Sequence, residues 1–474
     1  MEFTVREIAV ATGGRVLRGA GDAQAGTIAT DTRSLRQGEA FLALRGPRFD
    51  GHDFAADAAA AGASCLVLDR ADAAARARGP AVVLVRETGP ALLDLGRAAR
   101  ARLACPVIAV TGSCGKTTAK EMIGQVLARH RRGRRPPKSF NNQVGVPLAL
   151  LAAEPDDEFV VLELGTNAPG EIAALAEVAR PTIGVVMLVA PVHLEGLGSI
   201  EGVAREKAAL VEAVPADGVA VLNADDARVA AMAGRSRGRV VTFGVEREAA
   251  FRARDLVVTE QGTRFSVGEV GFSVPVLGAH QALAALAAAA VAREFGVSVE
   301  ETAEALRDFE PPAMRLALCR AGDVLVVNDA YNANPESMRA ALALLALWPE
   351  RRKVFFCGDM LELGPAARPL HEALGRQAVE AGVTRLVGVG PLAEATARAA
   401  RAAGLKAEAV TSAADASSAA AEARTIVRPG DVVLVKGSRA VGMERVVAAL
   451  AAPGKPVGPA GGSHRAQPMN RRGR

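Results

Sequence analysis

Apolar and polar positions along the chain fall into three zones. The first, 1–104, mixes short apolar runs, "AFLAL" and "SCLVLD", with the alanine-rich "FAADAAAAGA", a pattern that predicts a small α/β domain. The second, 105–310, opens on "CPVIAV", a continuous apolar run of the kind carried by a strand buried on both faces. Further runs, "EFVVLEL", "TIGVVMLV" and "GVAVLN", are separated by helix-length stretches, which predicts a parallel sheet with crossover helices. Pro311 and Pro312 in "FEPPAMR" end the preceding helix. From 311 to 452 the alternation resumes with "DVLVVND", "RKVFFCGD", "TRLVGVG" and "DVVLVKG", and this zone reads as a Rossmann-like, doubly wound domain. The expected fold class is α/β in three domains: a small N-terminal α/β domain, a central P-loop-type parallel-sheet ATPase domain and a C-terminal Rossmann-like α/β domain. The boundaries fall near Ala104 and Glu310, and residues 453–474 form a basic, Gly- and Pro-rich flexible tail.

Half of the 474 residues are hydrophobic and 23% are charged, enough to build sizeable cores. The pI near 9.1 invites a nucleic-acid reading. The chain has 57 Lys and Arg against 52 Asp and Glu, but Lys455, Arg465, Arg471, Arg472 and Arg474 all lie in the acid-free tail. The body is therefore balanced at 52 of each. The tail reads as a solvated end, with weak anion contact as the alternative. The run "RHRRGRRPPK" (Arg129 to Lys138) reads either as a solvated turn or as a polyanion site, and no aromatic residues are interleaved for base stacking. The five cysteines are scattered and form no CxxC pair, which suits a reducing compartment and excludes a disulfide framework. The start, "MEFTVREIAV", is not a signal peptide, and "ALAALAAAAVA" is too short to span a bilayer. A cytoplasmic protein with no nucleic-acid or membrane partner is expected.

The chemistry centres on "VTGSCGKTTAKEM", Val110 to Met122. The common spacing G-x-x-x-x-G-K-[ST] would place a glycine at 110, where Val110 stands; what remains is the tighter T-G-x-x-G-K-T-T. Between a buried strand and a helix opening near Lys116, this loop is placed to cradle phosphates. Gly112 and Gly115 admit close approach of backbone N–H groups, Lys116 answers the β and γ phosphates, and the Thr117 hydroxyl suits Mg2+. Glu163 closes "FVVLEL" at a strand end that opens on the ligand crevice. His193 ends the next run and reads as structural or as a metal ligand; Lys207 in "AREKAALV" reads as a solvated lysine on a helix. In "NDAYNANPES", Asp329, Asn332 and Asn334 either bind a ligand or cap a turn, and Pro335 opens the next helix.

Together with "FNNQVGVPLALL", "ELGTNAPGEI", "HLEGLGSIEGVAREK", "GDMLELG" and "VKGSRAVGMERV", these motifs resemble, in order, those of the Mur ligases. The stretch "DTRSLRQGEAFLALRGPRFDGHDF" resembles the uridine-nucleotide domain of that family, so the likeness covers 1 to 450. It implies ATP-dependent amide ligation through an acyl phosphate. ATP would be held by Gly112, Ser113, Cys114, Gly115, Lys116, Thr117, Thr118, Arg315, Asp329 and Asn332. Mg2+ would be held by Thr117, Glu163, His193 and a carbamylated Lys207; Lys116, Glu163, His193 and Lys207 would form the catalytic set. Arg33, Asn141 and Asn142 would bind the uridine nucleotide, and His371, Lys436 and Ser438 the acceptor side. The "D-N-P-R" stretch of the family's ligases that add the diamino acid at the third position is absent, which favours the member that takes UDP-N-acetylmuramoyl-tripeptide and D-Ala-D-Ala, expected as a monomer. Cys114 stands where the family often has Asn, and Gln281 and Ala284 replace two asparagines of its H-N-x-x-N-A segment. The rival readings are another ligase of the superfamily, such as a different Mur step or folylpolyglutamate synthase, and a P-loop ATPase driven by nucleic acid.

Overall fold

The computed structural model describes residues 1–136 and 139–451. Pro137, Lys138 and the tail read above at 453–474 lie outside the described residues. The chain divides into two compact units. One comprises Met1–Pro312, Asn334–Ala340 and Leu361–Ala367; the other comprises Ala313–Ala333, Ala341–Met360 and the described chain from Arg368 onward.

The first unit holds two larger sheets. A five-stranded sheet runs in the order Arg15–Arg18, Ala81–Leu84, Cys65–Leu68, Ala40–Leu42, Ile28–Ala29, antiparallel only at its first pair. A six-stranded, wholly parallel sheet runs Val160–Glu163, Val107–Thr111, Ile183–Val186, Val219–Asn223, Arg239–Gly244, Phe251–Arg252. Every residue of Val107–Thr111 is buried, as the uninterrupted apolar run requires. The segments 1–104 and 105–310 share one core here: Phe3, Leu42, Leu92 and Leu95 belong to the same buried cluster as Val107, Leu150, Leu162 and Leu175. The helix Thr88–Ala101 makes this junction, and Gly96 leaves no room for a side chain against Pro147, 2.8 Å from where a Cβ would sit. A small antiparallel sheet, Arg254–Thr259, Gly262–Val267 and Val270–Val274, stacks Phe265 on Phe272 at 4.8 Å.

The second unit is one six-stranded sheet in the order Ala317–Ala321, Val324–Asp329, Val432–Lys436, Lys353–Gly358, Arg385–Val389, Val410–Ala413, parallel except at its first pair. The last strand, Val432–Lys436, is inserted between Val324–Asp329 and Lys353–Gly358, so the chain runs outward and then returns to the middle of the sheet. Among the described residues no helix is long and apolar enough to cross a membrane.

Trp348, the only tryptophan, is buried in this second unit and reports its unfolding. Phe355→Ala, which empties a fully buried position of the central strand, is expected to cost about 3–5 kcal/mol. The check is a lowered midpoint of the Trp348 fluorescence transition in denaturant.

Candidate active site

The central strand Val107–Thr111 pairs with a parallel neighbour on each side, with Val110 opposite Glu163 and Thr111 opposite Val186. Three strand ends therefore open on one edge. Gly112 turns the chain away at φ 151°, where a Cβ would meet the Met187 Cβ at 2.9 Å and the Leu188 nitrogen at 3.1 Å; only glycine fits. Gly115 (φ 81°) caps the helix Lys116–Ala128, which starts where the sequence placed it.

Three of the side chains expected to serve ATP and Mg2+, Lys116, Thr117 and Glu163, lie at this edge. The Thr117 hydroxyl donates to Glu163 Oε2 at 2.8 Å, and Asn141 Nδ2 donates to Glu163 Oε1 at 3.1 Å. Lys116 Nζ bonds the Gly112 carbonyl at 2.6 Å. A glycine-lined loop at a helix N-terminus beside a hydroxyl and a buried carboxylate is the donor set that suits a Mg-nucleotide: amides and a cation for phosphate, hard oxygens for the metal.

Lys207 is not solvated. It lies on the inner face of the helix Ile200–Ala213 at 2% exposure, and burial first, then the charge of Lys116, draws its amine down to about 7, against the pull of Cys114 and Glu206. His193 holds a left-handed backbone (φ 51°) at the start of Leu194–Leu197, and its Nδ1 lies 2.5 Å from Glu362, a residue of the same compact unit. Burial lowers the His193 pKa; Glu362 opposes this, and Lys116 and Lys207 reinforce it. Lys116, Lys207 and His193 thus feel one another's charge, and Cys114 touches Asn334 through its sulfur (3.1 Å to Nδ2).

Several of the expected residues have protein partners of their own. Asn141 spends its side chain on Glu163, and Asn142 Oδ1 caps the helix Gly145–Leu151 by accepting from Val144 and Gly145. Asn141 thus supports the carboxylate at the phosphate side, while Asn142 is exposed and engages only its Oδ1. Ser113 directs its N–H to the Leu188 carbonyl (2.7 Å) and its hydroxyl to Ala190, so it faces away from the cradle. Arg33 remains at the surface, paired to Asp31 at 2.6 Å.

In the second unit, Asp329 binds Lys436 Nζ at 2.5 Å and the Leu316 N–H at 3.3 Å. Lys436 also reaches the Asn332 carbonyl at 2.8 Å. Arg315 lies over the Tyr331 ring at 4.2 Å, between two residues in left-handed conformation, Met314 (φ 59°) and Leu316 (φ 55°). His371 is fully buried, and its Nε2 accepts the Met360 N–H at 3.0 Å; it supports the "GDMLELG" loop from inside and presents nothing to an acceptor. Ser438 is buried and gives its N–H to the Asp359 carbonyl at 2.9 Å.

Within the described part of the basic run each arginine is paired with an acid. Arg129 pairs with Asp308, Arg131 with Glu158, Arg132 with Glu154 and Asp156, Arg134 with Asp157, and Arg135 with Glu121. Glu206, which sequence reasoning passed over, is buried and accepts from the Gly170 and Ile172 N–H groups, both at 2.7 Å. Its signal was available: Val203, Glu206, Lys207, Leu210 and Val211 share one helical stripe, so two charges sit in an apolar seam.

These features define a phosphate-binding α/β protein with a buried lysine at the cradle, and comparison places it. Three family models match in succession: Mur ligase family, catalytic domain, over 26–103; Mur ligase middle domain, over 110–292; and Mur ligase, glutamate ligase domain, over 314–439. The UDP-N-acetylmuramoyl-tripeptide–D-alanyl-D-alanine ligase of Mycobacterium tuberculosis is 39% identical over 95% of this chain and 98% of its own. The crystal structure of MurF from Acinetobacter baumannii superposes with a TM-score of 0.86 at 30% identity, covering 95% of this chain and 99% of that one. MurF ligase from Thermotoga maritima in complex with ADP gives 0.77 at 29% identity, covering 90% and 96%. The chain belongs to the Mur ligase family.

Gly112→Ala is expected to weaken ADP binding about tenfold or more, because the loop must move off Met187. Titration calorimetry checks it against Gly89→Ala, whose added methyl meets nothing within 4 Å and which should bind ADP as the parent does.

Proposed function

We propose that this chain joins D-Ala-D-Ala to the peptide carboxylate of UDP-N-acetylmuramoyl-tripeptide, converting ATP to ADP and phosphate. The observation that carries the reading is Lys207, a buried lysine drawn to about 7 beside the phosphate cradle, in a chain matched over nearly its full length by a ligase of that name. A switch or nucleic-acid-driven ATPase has no use for such a group, and the basic run that would favour it is paired to acids. The same reading assigns three functional parts, 1–104 to the uridine nucleotide, 105–310 to ATP and 311–452 to the third, Rossmann-like part, in a cytoplasmic monomer.

In this scheme the tripeptide carboxylate attacks the γ-phosphorus and ADP leaves, giving an acyl phosphate. The dipeptide amine then adds to the acyl carbon, and the tetrahedral intermediate expels phosphate to leave the amide. Lys116 and the amides of the loop hold the phosphates, and positioning supplies most of the acceleration. Thr117 and Glu163, with His193 and a modified Lys207, would hold Mg2+, which supplies charge neutralisation at the phosphates. The neutral Lys207 amine adds CO2 and loses one proton, giving an anionic carbamate where the protonated lysine would be a cation. Arg315, Asp329 and Asn332 serve the nucleotide, with Lys436 fixing Asp329. Arg33 serves the uridine nucleotide, and His371 and Ser438 act as supports.

Phosphate release is expected to require both UDP-N-acetylmuramoyl-tripeptide and D-Ala-D-Ala, with a product heavier by the dipeptide less water in mass spectrometry. Release indifferent to both would overturn the reaction assigned here. Lys207→Ala is expected to be inactive and to regain activity partly with acetate or formate; an undiminished variant, or one that nothing rescues, sinks the carbamate.

The pH dependence follows from the amine. Below about 7 Lys207 is protonated and cannot take up CO2, so the activity of CO2-depleted enzyme should fall as pH drops through about 7. Added bicarbonate should restore activity above that pH and progressively less below it.

A further inference from the structure

We propose that Ser113 is a positioning residue that ties the phosphate loop to the segment carrying His193, so that a nucleotide seated in the loop sets the His193 ring. The inference rests on the function proposed above only for the meaning of His193; the coupling itself stands on hydrogen bonds.

The segment after the strand Ile183–Val186 is pinned residue by residue. The Met187 N–H donates to the Thr111 carbonyl at 2.9 Å, and its carbonyl accepts from Asn223 Nδ2 at 2.8 Å. The Leu188 carbonyl accepts the Ser113 N–H at 2.7 Å, and the Val189 N–H donates to Asp226 Oδ2 at 2.7 Å. Ala190 closes the set: its N–H donates to Ser113 Oγ at 2.9 Å, and its carbonyl accepts that hydroxyl at 3.1 Å. A serine hydroxyl has one proton and two lone pairs, and here one residue takes the proton and one of the lone pairs. Ser113 is 9% exposed, so this exchange takes place out of solvent, where an unmade bond is costly.

Downstream, Pro191 restricts Ala190 to extended backbone, and two residues later His193 takes up φ 51°. A left-handed non-glycine residue costs about 1–3 kcal/mol and persists only where its surroundings over-determine it. The His193 carbonyl is held by the Gly196 and Leu197 N–H groups and its ring by Glu362, while the clamp at 187–190 fixes the approach to it from two sides, Ser113 on the phosphate loop and Asp226 beyond the strand Val219–Asn223. Because Ser113 spends its N–H and its hydroxyl on this segment, motion of the loop is motion of the segment. Gly112, packed on Met187, adds contact at the same place.

The direct test follows the six histidines by nuclear magnetic resonance, with His193→Gln identifying the His193 ring signal. Titrating ADP alone into the full chain is expected to shift that signal. In Ser113→Ala the shift should fall at least about threefold while ADP affinity stays within about twofold, and kcat should drop about tenfold with the KM for ATP little changed. Ser113→Thr, which keeps the hydroxyl, should restore the shift and kcat. Asp226→Asn, which loosens the same segment from its far side, should reproduce the kcat-selective loss.

Ser113→Ala that loses ADP affinity tenfold makes Ser113 a nucleotide contact and overturns the proposal. So does a variant whose His193 signal still follows ADP as in the parent. If the parent chain shifts the His193 signal on ADP but forms no amide, the coupling stands and the function assigned above fails.

Discussion

The two-sided pairing of the strand Val107–Thr111 is the constraint on which the site depends. Its register puts Val110 against Glu163 and Thr111 against Val186, so the chain leaves this strand with a buried carboxylate on one side and the Met187 backbone on the other. In an open parallel sheet the carboxyl ends of the strands form the ligand crevice. Here the geometry is tighter than that rule requires, because a Cβ on Gly112 would lie 2.9 Å from the Met187 Cβ. The phosphate loop is therefore moulded on its neighbour, and Thr117 meets Glu163 because helix and strand diverge from adjacent ends.

Much of the fold was legible because parallel strands buried on both faces advertise themselves. "CPVIAV", "TIGVVMLV" and "DVVLVKG" became Val107–Thr111, Ile183–Val186 and Val432–Lys436. The small antiparallel sheet Arg254–Val274 was not legible, since its outer strand Arg254–Thr259 opens on two adjacent charges and buries no residue fully. The joint between 1–104 and 105–310 was legible as a change of pattern but not as continuous packing. Nothing in "ARLACPV" says that Leu92 and Leu95 complete a core begun by Leu162 and Leu175.

Lys207 shows where reading residue by residue fails and reading by stripe succeeds. Alone, a lysine on a helix is solvated; set among Val203, Leu210 and Val211 it must be buried, and burial lowers its affinity for a proton. Its neighbour Glu206 does not compensate it as a salt-bridge partner. That carboxylate is taken by the N–H groups of Gly170 and Ile172, where it caps the helix Glu171–Ala179 from outside. Burial and the charge of Lys116 thus outweigh the pull of Cys114 and Glu206, and the amine is left with a lowered affinity for a proton.

The corrected residues share one cause. Ser113 and His371 lie in motifs whose order identifies the family, yet each directs polar atoms inward, to Ala190 and to the Met360 N–H, while the exposed Asn142 spends its Oδ1 on a helix N-terminus. A motif demands a residue equally whether it touches a ligand or holds the backbone that does, and sequence cannot separate the two demands. Hydrogen-bond saturation and burial can. Glu163, with Thr117 and Asn141 upon it, remains the acidic group at the cradle, and Lys436 holds Asp329 in the second unit in a comparable way. In each unit an acidic group at a strand end is fixed by a partner at or beyond the end of another element, so the order of these carboxylates is a property of the sheet edges rather than of any single loop.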